Sequence, residues 1–96
     1  MYSKVYNVSC SPGQADALMA HYDQNVTPAI QASEHHVGHL MIETGENQWI
    51  LVSNYASADA AEAASGMVRD LVASMGEQFG MSLDVIGEGD VARDVS

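Results

Sequence analysis

Basic residues are nearly missing from this chain: three Lys and Arg stand against 13 Asp and Glu in 96 residues, a formal net charge of -10. Such a surface repels phosphates and anionic head groups, so neither nucleic acid nor a membrane is expected as a partner. Cysteine is as scarce, with Cys10 alone. One thiol closes no intramolecular disulfide, which excludes an oxidised scaffold and makes the cytoplasm the expected compartment. Cys10 itself reads as a small apolar residue. No apolar run approaches the roughly 20 residues that span a bilayer, and no basic segment followed by an apolar one opens the chain. Glycine-rich phosphate loops, G-x-S-x-G elbows and C-x-x-C pairs are absent as well.

What is present is a chain that is 47% hydrophobic, with six Met, which requires a packed core. Its length fits a single domain, 1-96. A chain this short buries only about 60 to 70% of its unfolded surface, so association with a second copy would add much.

Residues 36–55, HVGHLMIETGENQWILVSNY, organise the rest. They read as two strands joined by a turn at Gly45 to Asn47. Upstream, Tyr2 to Ser9 alternates with period two, as a strand requires. Ser11, Pro12 and Gln14 then match the S-x-x-Q capping box with proline at the first helical position. The helix they predict aligns Ala15, Leu18, Tyr22, Val26 and Ile30 in one apolar stripe, with a break expected near Thr27 because Pro28 clashes with the carbonyl of Gln24. Downstream, Ser57 is an N-cap for a second helix with a stripe of Ala60, Ala64, Val68, Leu71, Met75 and Phe79. Gly66 weakens its middle and Gly80 stops it. Met81 to Gly87 is the last strand, and residues 88-96 form a polar tail, either flexible or in contact with a partner.

The order strand, helix, strand, strand, helix, strand is the ferredoxin-like βαββαβ arrangement, an α+β class with an antiparallel sheet and helices on one face. Alternation predicts that Tyr6, Val8, Leu40, Ile42, Ile50, Val52, Leu83 and Val85 meet the helices, with Gly38 leaving them room. The other face then carries Val5, Asn7, Val37, His39, Met41, Glu43, Trp49, Leu51, Ser53, Tyr55, Asp84 and Ile86. So much exposed apolar surface needs a cover, and the same face of a second copy is the simplest one. The space between two such faces would be a small-molecule site.

This strand order, with V-G-H at 37–39, W-I-L-V-S-N-Y at 49–55 and S-A-D-A-A-E-A-A at 57–64, resembles the dimeric α/β barrel superfamily, and within it the antibiotic biosynthesis monooxygenase type. The resemblance spans roughly residues 2 to 87. It implies a homodimeric barrel and oxidation of a small apolar or aromatic molecule without a bound cofactor. It equally implies a rival, a non-catalytic ligand-binding or stress-associated dimeric barrel, since the family holds many small proteins with no assigned activity. The haem-degrading branch uses an Asn in the first strand with a Trp and a His on the second helix. Asn7 matches the first, but Ser57 to Phe79 holds neither of the others.

His39 is the expected base, because an enclosed imidazole has the pKa range to take a proton from a phenol. Asn7 and Ser53 would donate to developing charge and Tyr55 to a substrate oxygen, with Met41, Trp49, Leu51 and Asp84 completing the substrate wall. No metal site is expected. His35 and His39 share a strand face about 13 Å apart, His36 points the other way, and His21 lies on the first helix.

Overall fold

The structure, a computed structural model, describes residues 1–95. Strand β1 (Tyr2–Ser9) leads to helix α1 (Ala15–His21), a π-helical turn (Tyr22–Val26) and helix α2 (Thr27–Ala32). The hairpin of β2 (His36–Gly45) and β3 (Gln48–Tyr55) follows, then helix α3 (Ala58–Phe79) and β4 (Ser82–Asp90). The four strands form one sheet in the order β2-β3-β1-β4, with every neighbouring pair antiparallel. No described helix is long and apolar enough to cross a membrane.

Pro28 shapes the first helical layer as expected, by a specific device. The Thr27 N–H donates to the Tyr22 carbonyl, five residues back, so one turn widens before proline opens α2. The expected stripe is intact across that turn: Leu18, Tyr22 and Val26 are buried, and Ala15 and Ile30 pack against them. The start of α1 is different. The Gln14 N–H bonds the Ser11 carbonyl at 3.1 Å and Gly13 has φ +81°, so Ser11 to Gln14 is a β-turn with proline second and glycine third. The helix begins after it, with no side-chain cap.

Helix α3 runs unbroken through Gly66. Ser57 Oγ accepts the Ala60 N–H at 3.1 Å, and Gly80 ends the helix in the left-handed region at φ 64°. The strand after it reaches Asp90, and the Val91 N–H bonds the Met1 carbonyl at 2.8 Å. Residues 88–90, expected in the tail, are therefore strand; Ser96, the last residue of that tail, lies outside the described residues.

The faces of β2 and β3 are the reverse of the expectation. Tyr6 pairs with Leu51 and Val8 with Trp49, so the buried side of β1 continues into Trp49, Leu51, Ser53 and Tyr55. Leu40 and Ile42, expected under the helices, are 59% and 51% exposed on the open face. Both rows of the hairpin are apolar enough to be buried, and the larger one wins, because an aromatic side chain buries about 150 to 250 Å². Gly38 goes with the open row, beside Asn54.

Glycine at 80 is required twice over. A Cβ there would collide with the Ser11 side chain, and a side chain pays about 1 to 2 kcal/mol in left-handed backbone. Gly80→Ala is expected to cost about 2 kcal/mol or more, read as a lower urea midpoint at unchanged slope.

Candidate functional site

The site begins with an irregularity in β2. His36 pairs with Tyr55 and Gly38 with Asn54, so Val37 is an extra residue without an opposite number. Such a bulge shifts the alternation by one. His36 and His39, three apart, consequently look to the same side, toward the helices. The reading that set His36 opposite to His39 fails at this point, and the pairing of His35 with His39 lapses because β2 starts after His35.

Between sheet and helices lie two adjoining cavities that share Tyr22, Ile30, His36, His39 and Met41. The inner one is about 40 Å³, walled by Val8, Val26, Leu51, Ser53, Leu71 and Met75 among others. That is room for a few waters. The outer one, about 450 Å³, opens between α2 and the edge of β2 and is also lined by Thr27, Gln31, Val37 and Gly38. No Asp, Glu, Lys or Arg lines either cavity; the titratable groups facing them are His36, His39 and tyrosines.

A polar chain crosses this apolar layer. The Tyr22 hydroxyl bonds His39 Nε2, and Ser53 Oγ lies 3.1 Å from His39 Nδ1. A neutral imidazole meets both partners when Tyr22 donates to Nε2 and Nδ1–H donates to Ser53. Burial favours that neutral form, lowering the His39 pKa below the ordinary 6.5. Ser53 is itself buried and lies next to Tyr55, whose pKa rises because burial outweighs hydrogen bonds from Ser53 and Tyr6. His36 packs on Tyr55 with ring centroids 4.6 Å apart, and its Nδ1 meets Ser33 Oγ at 2.9 Å. Burial, with His35 nearby, lowers its pKa too.

Of the residues picked from sequence, His39, Met41, Leu51 and Ser53 meet at the inner cavity. Tyr55 stands behind Ser53, and Trp49 is buried in the core beyond. Asn7 and Asp84 do not join them. They pair with each other across β1 and β4 and are exposed on the open face, because their positions alternate with Tyr6, Val8 and Leu83. The cavity is thus enclosed by the helices of its own chain, where a space between two sheets was expected. Tyr22, Ile30 and His36 were not anticipated at the site. Tyr22 and Ile30 carried a visible signal, their place on the helical stripe, but that signal reads only as core; His36 carried none, since alternation hides a bulge.

No protein-family model and no curated protein matches the chain. Solved structures do. A dimeric ferredoxin-like protein from an uncultured marine organism superposes with a TM-score of 0.76 at 9% identity, covering 100% of this chain and 99% of the other. The chain has the ferredoxin-like fold. Other solved structures that match are the haem degrader MhuD of Mycobacterium tuberculosis, with two haems bound, and a candidate antibiotic biosynthesis monooxygenase from Chloroflexus aurantiacus. MhuD gives a TM-score of 0.67 at 19% identity, covering 100% of each chain. The Chloroflexus protein gives 0.68 at 13%, covering 99% and 94%. At these identities the likeness is one of fold.

The two haems bound by MhuD raise the question of haem. Here α3 gives the inner cavity Val68, Leu71, Val72 and Met75, with no imidazole, and 40 Å³ is far short of a porphyrin. The inner cavity does not fit that group.

The two lowered histidines set a pH dependence. The unfolded chain binds protons near 6.5 while folded His36 and His39 still resist them, so stability is full above that value and falls as pH drops below it. Urea midpoints between pH 7.5 and 5 are expected to fall toward acid, and His39→Gln is expected to flatten that slope.

Proposed function

We propose that the protein binds a small, largely apolar phenolic molecule in the outer cavity and oxidises it with molecular oxygen, without a bound cofactor. The observation that carries the reading is the Tyr22–His39–Ser53 chain, whose neutral imidazole borders a cavity with no charged lining. A phenol there donates its proton to the Tyr22 oxygen as Tyr22 passes its own to His39 Nε2. Ser53 accepts from Nδ1–H and stabilises the imidazolium. The phenolate gives electrons to oxygen; one oxygen atom enters the ring, the other leaves as water, and the product is a quinone. Met41 and Ile30 keep the site apolar and limit water at the reacting carbon. A fold shared with a candidate monooxygenase supports this choice of chemistry.

A second reading, ligand binding without turnover, draws support from one feature: Tyr22 already occupies His39 Nε2. Oxygen-electrode traces with substituted phenols that bind separate the two. The oxygenase consumes oxygen in step with quinone formation, and His39→Ala lowers the rate at least 100-fold, the usual scale of general base catalysis, with affinity little changed. Binding with no oxygen uptake for any phenol leaves the second reading.

The proposal includes a homodimer. Leu40, Ile42, Val37 and Ile86 are each more than half exposed, and with Val5, Ile50 and Val52 they make an apolar open face too large for a monomer in water. A second copy covering it accords with the dimeric ferredoxin-like neighbour. Leu40→Glu places charge in that face, and sedimentation is expected to show a monomer where the parent chain is a dimer.

A further inference from the structure

A cavity of about 200 Å³ lies on the other flank of the layer, where α3 passes over β1 and β4. Lys4 and Arg69 line it, two of only three basic residues in a chain of net charge -10. Lys4 Nζ is 3.9 Å from the Glu88 carboxylate, which also accepts from the Tyr2 hydroxyl at 2.9 Å. Arg69 makes no ion pair among the described residues and stands exposed at the rim.

Tyr55 supplies the inner end. Its side chain lines the cavity beside Tyr6, and a phenol O–H can donate to an anion there. Tyr55 is 1% exposed and lines this cavity. The remaining walls are mostly apolar, Ala61, Val68, Val72 and Leu83 with the Tyr6 ring, and the one other hydroxyl, Ser65, donates to the Glu62 carbonyl of its own helix.

We infer that this cavity is a binding site for a small organic monocarboxylate, its carboxylate held by Arg69 and the Tyr55 hydroxyl and its apolar body against Val68, Val72 and Leu83. The single charge follows from the local balance: Glu88 already offsets Lys4, and Arg69 is left to be neutralised. A bare inorganic anion would leave the apolar walls unused, and a dianion would meet both Glu88 and the overall negative field. The site is separate from the phenol cavity and does not depend on the oxygenase reading.

Benzoate and its uncharged isostere benzamide test it by isothermal titration at low and moderate salt. Benzoate is expected to bind at least about tenfold tighter, the scale of a charge-assisted hydrogen bond pair. Salt is expected to weaken benzoate alone, and Arg69→Gln to remove most of the preference while leaving benzamide and the thermal unfolding curve unchanged. Equal affinities in the parent chain, or a preference that survives Arg69→Gln, overturns the assignment. Should Arg69→Gln fail to fold, benzoate-induced NMR shifts in the parent chain decide: shifts at Arg69 and Tyr55 are expected, and shifts confined elsewhere overturn it.

Discussion

The register between β1 and β3 is the constraint on which the rest depends. Once Tyr6 faces Leu51 and Val8 faces Trp49, the larger row of the hairpin belongs to the helices. Leu18, Tyr22 and Val26 then close over it from the first helical layer and Met75 from α3. A slip of one residue would turn His39, Ser53 and Tyr55 to the open face and put Ile50 and Val52 inside. The core would still be apolar, but the polar chain would be dismantled, since each of its strand members lies on the row that the register chose.

Three departures from regular geometry tune what the register sets. The bulge at Val37 brings His36 round to the side of His39, and the π-turn brings Tyr22 over His39 while relieving Pro28. A second bulge, between the partners of Val5 and Tyr6, leaves Ile86 unpaired and carries Glu88 to the side of Lys4, where the two form an ion pair. Each of these three lies beside a polar or titratable group, as an inserted residue re-aims every side chain beyond it; a further shift between Glu43 and Gly45 lies at the hairpin turn.

A buried imidazole needs either a charge partner or two hydrogen-bond partners, and His39 has the second arrangement. The neutral form costs less to bury, so the cavity can remain free of ions and suited to apolar ligands. The cations, few as they are, lie on the opposite flank. The fold thus separates an uncharged compartment from a cationic one by a shared wall of Tyr6, Val68, Val72 and Leu83.

Much of the fold was legible locally. Ser57 as a cap, Gly80 as a stop, the stripe from Ala15 to Ile30 and the break at Pro28 each follow from nearest-neighbour sterics and periodicity, and hold. Ser11 to Gln14 was misread because a capping box and a turn share residue types, and Gly13 settles the choice through its positive φ. His39, Met41, Leu51 and Ser53 were grouped correctly since alternation keeps them on one face whichever way it turns. Which way it turned was decided only in the tertiary structure. The sequence by itself determined the elements and their two-sidedness, because those depend on residues a few positions apart. Only the folded sheet decided which side meets the helices, because that rests on pairing between β1 and β3, roughly 50 residues apart, and on bulges that no periodicity reveals.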